Sequence, residues 1–174
     1  MADRILVVDD QRTNAEMVSG LLRNLGYQVE VALDGETALD AVRNKGTDLV
    51  ISDILMPRMD GYELVRRLRA NPATMLLPVI LVTSGDPHTE RVKGIEVGAD
   101  DFIAKPVNWA ELFGRVKRLL HVKALQDEIK TLNAQLEERV RDQVAQLERL
   151  SRGLRCALDV PQSAPAPPAK PGKN

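Results

Sequence analysis

The sequence predicts a doubly wound α/β domain with a five-stranded parallel sheet. Along residues 1–120, short apolar runs alternate with segments of helical periodicity, as in chains built from successive βα units. Four of the five runs are almost continuously apolar, which is typical of parallel strands that helices cover on both faces. The carboxyl ends of such strands share one edge of the sheet, where these folds place their sites.

The predicted strands occupy residues 5–8, 27–32, 49–52, 79–83 and 102–104. The second run alternates apolar and polar residues from Tyr27 to Val31, a pattern that suits a strand nearer the sheet edge. The other four runs predict strands that are buried on both faces.

Helices are predicted between the strands. The first carries one apolar stripe at positions i, i+3, i+4 and i+7, formed by Val18, Leu21, Leu22 and Leu25. Thr13 and Glu16 have the spacing of a capping box near its start, and Gly26 is placed to stop it. Further helices are expected over 36–45, 63–70 and 90–97, and Asn108 with Glu111 predicts the cap of the last one.

The last predicted helix has no stop signal where the domain should end. Beyond Leu119, apolar residues recur at spacings of 3, 4, 3 and 4, the seam of a coiled coil: Val122, Leu125, Ile129, Leu132 and Leu136. The next two steps, to Val140 and Val144, are both of four residues, which we interpret as one stutter. The seam then continues at Leu147, Leu150 and Leu154. A helix from Trp109 to about 150 is roughly 60 Å long, more than one small domain covers. We therefore expect a partner helix in a parallel homodimer.

These patterns divide the chain into a domain over 1–120, a coiled-coil helix over 121–156 and a tail over 157–174. The tail is rich in Pro and Ala and has almost no large apolar side chain to bury, so it is expected to be disordered. No folded output domain is expected after the coiled coil.

Composition narrows the class of protein. The formal net charge is −1, which gives no reason to expect nucleic-acid or membrane binding. No apolar stretch approaches the ~20 residues of a membrane span, and the start of the chain has no signal-peptide pattern. The lone cysteine, Cys156, rules out an internal disulfide and fits a reducing compartment. A cytoplasmic location is expected.

Polar residues follow four of the predicted strands: the pair Asp9-Asp10, then Asp53, Thr83 and Lys105. Brought to one edge, three carboxylates, a hydroxyl and an ammonium predict a divalent-cation and phosphoryl site. The adjacent carboxylates repel each other unless a cation shares them, and Mg²⁺ prefers such oxygen ligands. A carboxylate such as Asp53 is a competent nucleophile at phosphorus once the charge is neutralised.

Residues 4–120 resemble the receiver domain of two-component response regulators. The resemblance rests on Asp9-Asp10, on Asp53 with Met56-Pro57-x-x-Asp60-Gly61, on Thr83-Ser84 and on Lys105-Pro106. It implies a flavodoxin-like sheet of order 2-1-3-4-5. It also implies a signalling protein rather than an enzyme, which receives its phosphoryl group from a histidine kinase or a histidine phosphotransfer protein.

The resemblance also implies roles for single residues. Asp53 is the phosphoacceptor, and Mg²⁺ is held by the side chains of Asp10 and Asp53, by the Leu55 backbone carbonyl, and by Asp9 directly or through water. Lys105 pairs with the phosphoryl group and Asp53, while the Lys105–Pro106 bond is expected to be cis. Thr83 and Phe102 form a conformational switch.

Two classes of enzyme share the α/β fold or the aspartate nucleophile. A phosphatase of the haloacid dehalogenase type needs Asp-x-Asp after the first strand, and a dinucleotide-binding enzyme needs Gly-x-Gly-x-x-Gly there; neither is present. Taken singly, Asp53 and Asp10 could cap turns, and Lys105 could be merely solvated. Residues 137–150 are similar to linkers that join receivers to nucleotide cyclases. The alternative function is therefore the regulatory receiver–linker portion of a cyclic di-GMP or cAMP cyclase.

Overall fold

The computed structural model describes residues 2–85 and 87–158. Its strands are β1 (Arg4–Val8), β2 (Gln28–Ala32), β3 (Leu49–Asp53), β4 (Val79–Thr83) and β5 (Asp101–Ala104). Its helices are α1 (Arg12–Asn24), α2 (Gly35–Lys45), α3 (Gly61–Ala70), α4 (Pro87–Val97) and α5 (Trp109–Leu158). In the part of the chain that is described, no helix is both long and apolar enough to cross a membrane.

The strands form one parallel sheet of order β2-β1-β3-β4-β5, which confirms the predicted flavodoxin-like fold. All five residues of β3 and of β4 are buried, as their continuous apolar runs predict. Strand β2 lies at the edge of the sheet and is only partly buried, in agreement with its alternating pattern. Strand β5 does not follow its prediction: it was expected to be buried on both faces, but it lies at the opposite edge of the sheet and only Ile103 is fully buried.

Each face of the sheet has its own apolar core. One core packs α2 and α3 on the sheet and includes Leu39, Leu64 and Leu68. The other packs α1 and the first turns of α5, and includes Leu22, Leu112 and Val116. The Asp101 carboxylate at the start of β5 also forms ion pairs with Arg115 and Arg118 of α5. Together these contacts fix the strand ends that carry the predicted site.

The two predicted helix caps have different outcomes. The backbone N–H of Glu111 donates to Asn108 Oδ1 at 3.2 Å, so the cap of α5 is confirmed. The capping box at Thr13 is wrong, because α1 already begins at Arg12, with Gln11 at the capping position and no side-chain cap bond. Glu16 instead pairs with Arg12 one turn away, at 3.6 Å.

The described chain consists of two units that divide after Glu128. The first contains the sheet and its helices. The second, from Ile129, consists of the remainder of α5, which extends to Leu158, two residues beyond the predicted end at 156. Its seam residues from Ile129 to Leu154 are all exposed, at 49% to 65% of their surface. Residues 159–174, most of the predicted tail, lie outside the described residues.

Candidate phosphoacceptor site

The predicted site residues meet at the carboxyl edge of the sheet. Asp53 is the last residue of β3 and Thr83 the last residue of β4, while Asp9 directly follows β1 and Lys105 directly follows β5. Because these four strands are neighbours in the sheet, their ends bring the side chains together.

Three carboxylates form the centre of this site. One oxygen each from Asp9, Asp10 and Asp53 lie within 4.8 Å of one another; Asp9 and Asp53 are buried and Asp10 is exposed. The backbone N–H of Gln11 donates to Asp9 Oδ1 at 2.8 Å and orients that carboxylate. Burial raises the pKa of Asp9 above its usual value, although the bond from Gln11 and the charge of Lys105 oppose the shift. The ionised cluster is therefore costly until a cation joins it.

Lys105 supplies a positive charge next to Asp53 and Asp9. Its ammonium lies 2.6 Å from Asp53 Oδ2 and 3.7 Å from Asp9 Oδ2. The backbone N–H of Lys105 donates to the carbonyl of Thr83 at 2.6 Å, which fixes the start of the loop against β4. The Lys105–Pro106 peptide bond is cis, as the resemblance implies.

The donor set fits Mg²⁺. Carboxylate oxygens are the ligands that this ion prefers. Because Asp10 is exposed, one side of the acidic cluster is open to solvent, and Mg²⁺ usually keeps several water ligands. Leu55 follows Asp53 by two residues, and its N–H points to Asp53 Oδ1 at 3.4 Å. The ligand role of the Leu55 carbonyl oxygen stays a prediction.

Gly61 explains why the motif after Asp53 ends in glycine. A Cβ atom at position 61 would lie 2.6 Å from the carbonyl oxygen of Asp53 and 2.9 Å from Cα of Ile54. Asp60 caps α3 by accepting from the Glu63 N–H at 2.7 Å. Asp60 and Gly61 thus allow the first turn of α3 to pack directly on the end of β3, which holds Asp53 in place.

Thr83 and Phe102 lie on the adjacent strands β4 and β5. Thr83 is buried, and its Oγ1 accepts from the Gly85 N–H at 2.9 Å. Phe102 is partly buried and pairs in register with Leu81, two residues before Thr83. Its ring packs against Gly94 of α4, to which the sequence analysis assigned no role.

A cavity of about 330 Å³ adjoins the site. Asp9, Asp53 and Lys105 contribute to its lining, and apolar residues of the strands, of α1 and of α5 form most of the remainder. The only tryptophan of the chain, Trp109, lines this cavity and packs on the α1–α5 core. Its indole is therefore an optical probe beside the acidic cluster.

A parallel sheet of this order, with an acidic cluster facing a lysine at its carboxyl edge, is the architecture of a receiver-type signalling domain. The chain belongs to the response regulator receiver domain family, whose model matches residues 5–117.

Two curated relatives extend this assignment. The chain is 39% identical over 134 residues to the response regulator PleD of Caulobacter vibrioides, which covers 77% of this chain and 30% of that protein. It is 44% identical over 120 residues to the response regulator MprA of Mycobacterium sp., covering 69% of this chain and 51% of that protein. The chain thus spans between about a third and a half of the length of these relatives.

Solved structures agree with the fold. A putative response regulator from Chloroflexus aurantiacus has a TM-score of 0.67 and 40% identity, covering 70% of this chain and 99% of that one. The signal receiver domain of a histidine kinase from Syntrophus aciditrophicus has a TM-score of 0.65 and 43% identity, covering 69% of this chain and 91% of that one.

Proposed function

We propose that this protein is a phosphorelay response regulator that accepts a phosphoryl group on Asp53 from a histidine kinase or a histidine phosphotransfer protein. The observation that carries this proposal is the position of the buried Asp53 carboxylate. It lies 2.6 Å from the Lys105 ammonium and clusters with the carboxylates of Asp9 and Asp10. The proposal includes a cytoplasmic location, with neither a nucleic acid nor a membrane as partner.

The reaction follows from these positions. A carboxylate oxygen of Asp53 attacks phosphorus, the bond to the donor histidine nitrogen breaks, and that nitrogen keeps the electron pair. Lys105 neutralises part of the charge on the phosphoryl oxygens, and the Thr83 hydroxyl, which accepts from the Gly85 N–H, can donate its own hydrogen to one of them. Asp9, Asp10, Asp53 and the Leu55 carbonyl would hold Mg²⁺, which supplies further charge neutralisation and orients the transferring group.

Phosphorylation of the purified protein tests the site. Acetyl phosphate with Mg²⁺ should add one phosphate, seen as a mass increase that is lost in Asp53→Asn or with EDTA. Asp40→Asn, at an exposed carboxylate of α2, is the matched control and should keep the modification. Trp109 fluorescence should titrate with Mg²⁺ in the wild type and respond only weakly in Asp10→Asn. A phosphate that survives in Asp53→Asn would refute the assignment.

The second part of the proposal is a switch formed by Thr83 and Phe102. Phosphorylation can shift a two-state element only through contacts that are better in one state. Here those contacts are the Thr83 hydroxyl and the Lys105 ammonium with the phosphoryl group. Backbone hydrogen exchange should change over residues 86–97 and 102–104 on phosphorylation, and little over 36–45. Equal changes everywhere, or none, would contradict the switch.

The third part is a parallel homodimer through a coiled coil over 121–156. Ten seam residues are exposed at 44% to 65% of their surface, although they follow the spacing of a coiled-coil interface: Val122, Leu125, Ile129, Leu132, Leu136, Val140, Val144, Leu147, Leu150 and Leu154. Phosphorylation of the receiver alters the helix that enters this seam, and an unknown downstream partner detects the change.

Light scattering during size-exclusion chromatography tests the dimer. The full chain should be dimeric with or without phosphate, and truncation after Val122 should give a monomer or a weak dimer. Cross-linking between cysteines placed at Leu125 and Leu132 should change on activation. A full-length monomer at micromolar concentration would refute the coiled coil, whereas unchanged cross-linking would remove only the transmission of the signal.

The alternative function is the regulatory receiver–linker portion of a nucleotide cyclase. It rests on the similarity of residues 137–150 to the linkers that join receivers to such cyclases. Fusing residues 1–156 to the catalytic domain of a cyclic di-GMP or cAMP cyclase tests it. Catalytic activity that rises with acetyl phosphate, and not in Asp53→Asn, would favour this alternative; constant activity would favour an independent regulator.

A further inference from the structure

An apolar patch lies where α5 leaves the sheet. Met75 and Leu76, in the loop between α3 and β4, are exposed at 47% and 45% of their surface, and Val122 of α5 at 44%. Met75, Leu76 and Val122 line one cavity of about 90 Å³ together with Pro78 and Leu119. These five residues are called the loop–helix patch. They belong to the unit that contains the sheet.

The charged residues that border this patch are already paired. The Lys123 ammonium lies 2.5 Å from Asp127 Oδ2 and 3.9 Å from Asp48 Oδ1, and its side chain is only 19% exposed. The Arg69 guanidinium donates to Asp100 and to the carbonyls of Leu77 and Gly98, at 2.7 to 2.8 Å. If the patch is covered, both cations therefore keep their partners. The main consequence is the removal of apolar surface from water.

Val122 connects the patch to the coiled-coil seam, since it is the first residue of that seam. Packed helices have axes about 8–10 Å apart, so a second helix that packs on Val122 also approaches the side chains beside it. Those side chains are Met75 and Leu76 of the loop.

The seam also benefits from additional contact area. Its regular spacing runs only from Val122 to Leu136, which is two heptads, before successive steps of four. Sustained coiled coils usually have at least about three to four regular heptads. A dimer held by this seam would therefore be stabilised by further apolar contact at the receiver end.

We propose that a second copy of this chain covers the loop–helix patch, with the partner's α5 around Val122 packing on Met75 and Leu76 of each copy. The dimer interface then includes the receiver domain itself. This inference rests on the proposed homodimer and adds to it a surface outside α5.

Analytical ultracentrifugation of the full chain tests the inference. Met75→Glu combined with Leu76→Glu should raise the dimer dissociation constant at least about tenfold, because it places charges in an apolar contact. Leu25→Glu is the matched control: Leu25 is exposed at 53%, directly follows α1 and is not among the residues lining this cavity. It should leave the constant unchanged. Circular dichroism should show that all variants are folded.

Leu132→Lys separates this inference from the dimer on which it rests. If Leu132→Lys gives monomers while the loop variant dimerises like the wild type, the patch is overturned and the coiled coil stands. A wild type that is itself monomeric overturns both, and an equal effect of Leu25→Glu overturns the patch. If the loop variant is monomeric but Leu132→Lys is not, the patch stands and the coiled coil falls.

A direct contact can be detected by cross-linking. In a Cys156→Ser background, copies carrying Leu76→Cys are mixed with copies carrying Gln126→Cys, which also lines the cavity. A disulfide between the two kinds of copy is expected, since it forms only when their α-carbons come within about 7 Å. Its absence under oxidising conditions, while the dimer persists, would overturn the proposed packing.

Discussion

The ring of Phe102 lies directly against the backbone of Gly94. A Cβ atom at position 94 would stand 2.5 Å from Cε2 and 2.8 Å from Cδ2 of that ring, closer than real Cβ contacts. Helix α4 therefore packs on the aromatic residue of β5 only because residue 94 has no side chain. Phe102 is a residue of the proposed switch, so α4 is in direct contact with that switch.

Gly94→Ala should destabilise the protein by roughly 1–3 kcal/mol in urea unfolding, because the methyl group displaces the Phe102 ring. The effect opposes the gain of about 1 kcal/mol that alanine normally gives inside a helix. Gly114 of α5 is the matched control, since a Cβ atom there has nothing within 4 Å. Gly114→Ala should stabilise the protein by about 0.5–1 kcal/mol.

A double-mutant cycle identifies the cause. In a Phe102→Ala background the ring is gone, so Gly94→Ala should no longer destabilise and should become neutral or favourable. The same loss with and without Phe102 would place the clash elsewhere in the packing of α4.

The Asp34 carboxylate should make a pH-dependent contribution to the free energy of unfolding. Its carboxylate caps α2, accepting from the Thr37 N–H at 2.8 Å, and lies 3.0 Å from Arg58. The bond from the Thr37 N–H, assisted by the Thr37 hydroxyl, lowers the pKa of Asp34 below 3.8. The folded state therefore favours the ionised form, and this stability is present above pH 3.8 and lost as the pH falls through the lowered pKa.

Asp34→Ala should accordingly cost about 1 kcal/mol at neutral pH, the usual loss for an N-cap. The difference from the wild type should shrink as the pH is lowered below 3.8 in a series of urea titrations. Asp40→Ala on the same helix should have little effect, because Asp40 is 72% exposed and 4.0 Å from Arg43. A difference for Asp34→Ala that does not depend on pH would refute the role of its charge.

Two fully buried serines should respond in opposite directions to alanine. Ser52 Oγ donates to the carbonyl of Asp53 at 2.8 Å, whereas Ser19 Oγ in α1 has no hydrogen-bond partner. Ser52→Ala should destabilise by about 1 kcal/mol, while Ser19→Ala should stabilise by about 1 kcal/mol because it removes an unpaired buried hydroxyl. Thermal unfolding of the two variants measures the contrast. A loss of stability in Ser19→Ala would show that its hydroxyl is satisfied in solution.

The sequence predicts most of this fold because the spacing of apolar residues along a strand reflects which of its faces are buried. Three of the four continuous runs became the central strands β1, β3 and β4, and the alternating run became the edge strand β2. The short run of β5 lies at the opposite edge, because three apolar residues are too few to distinguish a central strand from an edge strand. Asp9, Asp53, Thr83 and Lys105 were predictable as a cluster, because parallel strands bring their carboxyl ends to one edge.

Contacts between elements were less predictable. Gly94 lies inside a helical segment, where a glycine in a single sequence indicates only lower helix propensity and not the aromatic ring that it meets. The capping box at Thr13 failed because its spacing also occurs inside a helix, and α1 begins one residue earlier. The pairing of Met75 and Leu76 with Val122 depends on packing between a loop and a helix that are distant in sequence.

The proposed aspartyl phosphate should be long-lived. Hydrolysis needs a water molecule that a polar side chain orients or deprotonates at the phosphorus. The two positions suited to this task follow Asp53 and Thr83 by two residues, and they are occupied by Leu55 and Gly85. Leu55 is 64% exposed and its side chain has no polar atom, and the Gly85 N–H donates to Thr83.

Loss of label from the phosphorylated protein measures this lifetime at neutral pH without a phosphatase. The wild type should decay over far longer than seconds. Leu55→Asn should accelerate decay at least about tenfold, since its amide can orient the attacking water while the Leu55 backbone is retained. Leu25→Asn replaces another exposed leucine, directly after α1, and should leave the rate unchanged. Decay of the wild type within seconds would refute the expected lifetime, and an unchanged rate in Leu55→Asn would show that residue 55 does not control access of water.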